Sequence, residues 1–124
     1  MDKYIMPKLT GFDGKRYLNI DFNSENIRNA LAIRFGNYLF IQMGVNIGTD
    51  GRKDLTNFIR DTSIIKSEQY YIAPAVKATG NGSPTSIAVA QYSANENVLS
   101  VRSSSSSTTQ WIYFNILLPI EEGY

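Results

Sequence analysis

Apolar and polar residues alternate along much of this chain, and a period of two predicts strands rather than helices. The pattern is clearest over Ala30 to Phe35, where Leu31, Ile33 and Phe35 share one face. Gly36-Asn37 follows, and both residues tolerate the positive φ of a two-residue turn, so a hairpin is predicted. Its return strand, Tyr38 to Ile47, puts Leu39, Ile41, Met43, Val45 and Ile47 on one face. Tyr38, Phe40, Gln42, Gly44 and Asn46 take the other. The same period predicts a strand over Arg16 to Phe22, with Leu18, Ile20 and Phe22 on one side. An irregular lead-in occupies residues 1–15, where Pro7, Gly11 and Asp13-Gly14 mark loop and turn.

Further along, Gly48 to Lys53 reads as a turn-rich loop. Leu55 to Ile65 has no full amphipathic pattern and predicts a short helical turn or an irregular crossing. Tyr70 to Ala78 reads as a strand whose Pro74 argues for an edge or a bulge. Residues 79–84 form a loop by composition. Thr85 to Tyr92 reads as a strand with Ile87 and Val89 inward, and Val98 to Arg102 as another. Ser103 to Thr109 is a polar, low-complexity loop. Trp111 to Leu118 is the last strand, closed by Pro119 and the acidic Glu121 and Glu122. About seven short strands with short turns predict an all-β, single-domain β-sandwich of jelly-roll type over residues 16–124.

The last strand departs from simple alternation. Ile112, Phe114, Ile116 and Leu118 make one apolar face, while Trp111, Tyr113 and Leu117 make the opposite face apolar too. A strand apolar on both faces is usually covered on both. Trp111, Tyr113 and Leu117 are therefore expected at a subunit interface, with a local loop folded over them as the alternative.

Composition narrows the chemistry. The 124 residues contain no histidine and no cysteine. That removes a Ser-His-Asp triad, thiolate nucleophiles, disulfides and Cys-ligated metal sites. Asp21, Glu25, Asp50, Asp54, Asp61, Glu68 and Glu96 could supply a glycosidase carboxylate pair, but most sit in turns, where acidic residues are common for backbone reasons. Asp50 to Asp54 lacks the alternating oxygen ligands of a calcium loop, and Gly80-x-Gly82 lacks the lysine and helix of a phosphate loop. No catalytic residue, metal or cofactor is expected. Twelve basic and eleven acidic residues leave a net charge of +1 without a basic stripe, so no nucleic-acid partner is expected. The cluster of Lys8, Lys15 and Arg16 reads as a solvated loop. No stretch approaches the length of a membrane helix, and the start, Met1 to Pro7, has no apolar run of signal-peptide length, so neither membrane insertion nor export is expected.

Binding is the better expectation. Saccharide sites set an aromatic face against a sugar ring, with Asn, Asp or Arg exchanging hydrogen bonds. Tyr71, Asn81, Tyr92 and Arg102 are the expected ligand-binding residues, and Tyr92 and Arg102 lie next to turns.

Residues 68–120 run Glu-Gln-Tyr-Tyr-Ile-Ala-Pro-Ala-Val, a Gly-Asn-Gly-Ser loop, a strand, Val-Leu-Ser-Val-Arg-Ser with a Ser/Thr run, then Trp-Ile-Tyr-Phe-Asn-Ile-Leu-Leu-Pro-Ile. This order resembles the C-terminal head domains of tailed-bacteriophage tail fibre, baseplate and receptor-binding proteins. The resemblance covers less than half the chain and consists of strand rhythm and a few dipeptides. It implies a trimeric β-sandwich, association with other virion proteins at the tail or baseplate, and recognition of host-surface saccharide. The leucine-proline-x-glycine-aromatic-arginine-proline segment usual in that family is missing from Ile64 to Glu68. The chain also begins at its own Met1 without a fibrous shaft, so a stand-alone virion component is expected. A capsid decoration or head-fibre protein and a cellular lectin-like module are the alternative functions.

Overall fold

The computed structural model describes residues 13–65, 70–78, 84–104 and 106–121. Their regular structure is almost entirely strand: β1 (Ile27–Phe35), β2 (Tyr38–Gly48), β3 (Arg52–Thr56), β4 (Tyr70–Ala78), β5 (Pro84–Ser93), β6 (Val98–Arg102) and β7 (Gln110–Pro119). All seven are antiparallel neighbours in one curled sheet of order β1-β2-β7-β4-β5-β6-β3. The all-β class is as the alternation predicts, and the strand number agrees, with one predicted strand absent and one unpredicted strand in its place. The predicted hairpin is present, with Phe35 opposite Tyr38 and Gly36 at φ 58° in its turn. Two 3-10 turns, Lys15–Tyr17 and Thr62–Ile64, are the only helical elements among the described residues.

The core lies against one face of the sheet. β2 gives it Leu39, Ile41, Met43 and Val45, and β7 gives Ile112, Phe114, Ile116 and Leu118. β6 adds Leu99 and Val101, while β4 and β5 contribute Ala73, Ala75, Ala88 and Ala90. The rings of Tyr71, Tyr92 and Phe58 cluster in the same core, Tyr92 tilted against Phe58 at 5.7 Å and stacked with Tyr71 at 6.4 Å. Small strand residues are what make room for these rings in a close-packed interior.

This arrangement corrects the reading of β5. Its inward set is Ala88, Ala90 and Tyr92, so Ile87 and Val89 point outward, and Ile87 is 85% exposed. Hydropathy alone assigned the larger side chains to the core, whereas the space available decided for alanine.

Two further expectations change. Arg16 to Phe22 is not a strand. Leu18 forms one bridge to Ile59, and the Asp21 carboxylate then accepts the Asn23 N–H at 3.0 Å, turning the chain away. Arg52 to Thr56, read as loop running into an irregular segment, is the edge strand β3. Only Leu55 among its residues packs against the core, so no apolar alternation announced it. Its Arg52–Asp54 pair at 2.8 Å places charge on this edge, a common defence against unwanted strand pairing.

The expected irregular crossing leads from β3 to β4. Phe58, Ile59, Ile64 and Ile65 are buried in it. Asn97, at φ 57°, pins it from the β5–β6 turn. Its Oδ1 accepts the Ile59 N–H at 2.9 Å, its Nδ2 donates to the Ile59 carbonyl at 2.9 Å, and the Tyr92 hydroxyl donates to the same Oδ1 at 2.8 Å.

Pro74 has a local explanation. β4 pairs with β5 along its whole length but with β7 only from Ala75 to Ala78. Pro74 has no N–H with which to extend the second ladder, and the pairing ends beside it. β4 and β7 part at this point, which shapes the site described next.

Candidate functional site

Register fixes which side chains share the outer face, the one turned away from the core. Tyr113 of β7 stands opposite Gly44 of β2 on one side and Val76 of β4 on the other. Asn115 stands opposite Gln42, and Leu117 opposite Phe40. Where β4 leaves β7, these rows open into a cleft of about 600 Å³, within the range usual for small-ligand sites. Tyr113, Asn115, Gln42, Asn29, Pro74 and Val76 line it, and among the described residues none that lines it is charged.

The position of the Tyr113 ring follows from Gly44. A Cβ on Gly44 would stand 2.5 Å from Tyr113 Cε1 and 2.7 Å from Cδ1, far inside van der Waals contact. Only glycine lets the ring lie across β2 at this register, the recurrent use of glycine inside a strand. Asn29 reaches the cleft by a different device. It sits at the irregularity in β1 between Arg28 and Leu31, at φ 51°, a left-handed conformation that asparagine adopts more readily than most residues. Among the described residues the amide groups of Asn29, Gln42 and Asn115 have no hydrogen-bonding partner. The cleft thus offers an aromatic ring, an apolar wall and three groups that can each donate and accept.

Above Tyr113 the outer face is closed by Trp111, which is buried with the Arg28 guanidinium 3.8 Å from its ring centroid, a cation–π contact. The rest of the face carries exposed apolar side chains. Ile72 is 66% exposed and Tyr70 62%, while Leu117, Tyr38 and Phe35 are roughly half covered.

The residues expected to bind ligand are not brought together. Tyr92 is fully buried, which corrects its placement at the surface. Burial pushes its hydroxyl up to about 12. Tyr71 is half-buried against it on the inner side of the sheet, and burial raises its phenol as well. Arg102 is exposed and pairs with Val89 in the β5–β6 ladder, which puts it on the outer face, away from both tyrosines. Asn81 lies outside the described residues. The turn next to Tyr92 suggested exposure, but Asn97 folds that turn over the hydroxyl.

Trp111, Tyr113 and Leu117 do share the outer face of β7, as the two-sided pattern predicts. β1 covers Trp111 locally through Arg28. Tyr113 belongs to the cleft, and Leu117 remains 47% exposed. The sequence reading missed Asn29, Gln42 and Asn115. A signal existed for two of them: Gln42 and Asn115 are amides on strand faces otherwise lined by Phe40, Tyr113 and Leu117. Gly44, inside a strand, was the signal that something approaches closely there.

No three or more acidic residues are grouped to hold a metal ion among the described residues, and no helix there is long and apolar enough to cross a membrane. No protein-family model, no curated protein and no solved structure matches the chain.

Proposed function

We propose that this chain is an adhesion module of a tailed-phage particle that holds saccharide without turning it over. The outer-face cleft carries the reading. A sugar ring presents an apolar face and a fringe of hydroxyls, and Tyr113 with the amides of Asn29, Gln42 and Asn115 complements both. The uncharged lining favours a neutral sugar and supplies no carboxylate pair for hydrolysis. The virion setting, at the tail or baseplate, rests on the similarity of residues 68–120 to phage head domains.

One such cleft binds weakly, and attachment gains strength when several act together. A homotrimer is the proposed assembly, and the exposed Ile72, Ile87 and Leu117 support subunit contact on the outer face. The same exposed residues favour a second reading, a capsid decoration or head-fibre subunit that clamps its neighbours. Labelling intact particles separates the two, at the tail or on the head.

The binding reading is tested on a glycan array with the full chain and its Tyr113→Ala and Asn115→Ala variants. The expected result is retention of a set of neutral glycans, lost in Tyr113→Ala and weakened about tenfold in Asn115→Ala, the effect of roughly one hydrogen bond. Absence of any retained glycan, or retention unchanged in Tyr113→Ala, contradicts it.

A further inference from the structure

A second group of unused polar capacity lies near the end of β1, beside the hairpin turn, on the side opposite Ile33 and Phe35. Arg16 and Arg34 are distant in sequence but converge on one atom. The Tyr17 hydroxyl oxygen accepts from Arg16 Nη2 and from Arg34 Nη1, each at 2.8 Å. Both guanidiniums also lie within cation–π reach of the Tyr17 ring, at 4.9 and 5.8 Å from its centroid. Arg34 Nε donates to the Gly36 carbonyl at 3.1 Å, which fixes the orientation of its fork at the hairpin turn.

The approach depends on Gly14. Its N–H donates to the Ala32 carbonyl at 2.8 Å, and a Cβ there would meet Leu39 Cδ1 at 2.6 Å and the β1 backbone at 3.0 Å. The 3-10 turn Lys15–Tyr17 follows at once and delivers Arg16 and Tyr17 to Arg34. The nearby Asp13 carboxylate accepts the Lys15 backbone N–H at 2.9 Å and makes no ion pair with Arg16 or Arg34. Among the described residues neither guanidinium has a carboxylate partner.

Two like charges on one neutral oxygen repel, and a phenol cannot cancel them. Arg16 keeps Nε and most of its terminal N–H groups unused, and Arg34 keeps those of Nη2. Partial burial raises the Tyr17 phenol, but the bonds from Arg34 and Arg16, with their charges, outweigh it and leave the phenol below its ordinary range. Among the described residues the site is short of negative charge.

We propose that Arg16 and Arg34, bridged and oriented by the Tyr17 hydroxyl, form a binding site for a single oxyanion, a phosphate or a carboxylate. A planar fork from each arginine suits either group, since both accept paired N–H bonds. The site is separate from the outer-face cleft and stands whether or not the cleft takes saccharide. Its sources, a free ion or an acidic group on a larger molecule, are distinguished by the test.

The full chain is titrated with inorganic phosphate at low ionic strength while the arginine Nε–H resonances are followed by NMR. The expected result is a saturable shift of Arg16 and Arg34 with a Kd of about 1–10 mM, weakened about tenfold or more in both Arg16→Gln and Arg34→Gln. Glucuronate is then added against phosphate, with glucose as the uncharged control. Displacement by glucuronate but not by glucose supports a general oxyanion site open to acidic sugars. Saturation by phosphate without displacement supports a site restricted to the free ion. Arg34→Lys, which keeps the charge but not the fork, replaces Arg34→Gln should the latter fail to fold, and weaker binding is again expected. No saturable shift, or binding unchanged in the arginine variants, overturns the proposal.

Discussion

Replacing Gly44 by alanine tests how the fold builds the cleft. The added methyl would lie 2.5 Å from Tyr113 Cε1, 2.7 Å from Cδ1 and 3.2 Å from Cζ. Ordinary carbon contacts lie at about 3.5–4.0 Å, so the ring must retreat by roughly 1 Å. The backbone itself accepts alanine, because Gly44 is not among the residues with positive φ. Two energies then oppose each other. Overpacking costs about 1–3 kcal/mol, while replacing glycine in a strand regains about 0.5–1 kcal/mol of chain entropy. The expected net loss of stability is about 1 kcal/mol, read as a lower urea midpoint with unchanged slope.

Saccharide binding should fall further than stability, because the displaced ring no longer floors the cleft. The decisive assay is a double-mutant cycle with Tyr113→Ala. Without the ring there is no clash, so the second Gly44→Ala substitution should be neutral or slightly stabilising. An equal penalty in both backgrounds refutes the reasoning, since the loss would then not come from contact with Tyr113.

Asn97→Ala removes both bonds to Ile59 and places alanine at φ 57°, so unfolding free energy should drop by about 3 kcal/mol in urea titration, the cost of stranding buried backbone groups. An unchanged midpoint would show that the β3–β4 crossing is held by packing alone. Tyr92 gives a pH signature. Its hydroxyl stays protonated in the fold to about 12 but ionises near 10 in the unfolded chain, so between those values the unfolded state binds fewer protons. This contribution to stability is complete below about pH 10 and is lost as pH rises toward 12. Tyr92→Phe should flatten the alkaline fall in urea midpoint, and an identical fall in the variant would contradict the assignment.

Much of the sheet was legible because one buried face imposes a period of two. The β1–β2 hairpin and β7 follow directly from it. The pattern misled where a segment was half-buried for other reasons. Leu18 reaches the core from a single bridge instead of a strand, and β3 needs only Leu55 to hold its edge. On β5 the alternation was read one residue out of phase, since Ile87 and Val89 outrank Ala88 and Ala90 in hydropathy but not in fit.

The candidate site was less legible for a topological reason. Asn29, Gln42 and Asn115 come from β1, β2 and β7, and only the β2–β7 pairing, between strands far apart in sequence, brings them together. Arg16 and Arg34 meet for a more local reason, the Asp13–Ile33 bridge and the Gly14 N–H bond to the Ala32 carbonyl. Aromatic residues beside turns were the visible candidates, and of these Tyr92 turned out to be core. The doubly apolar β7 did identify the face that carries the cleft, and Tyr113 is one of the residues that line it.

The most direct test of the saccharide reading is NMR mapping of side-chain amides during titration with a glycan retained on the array. The account predicts that the amide resonances of Asn29, Gln42 and Asn115 move most, and that they stay still in Tyr113→Ala. Shifts confined to other parts of the sheet, with these three amides unmoved, would contradict it.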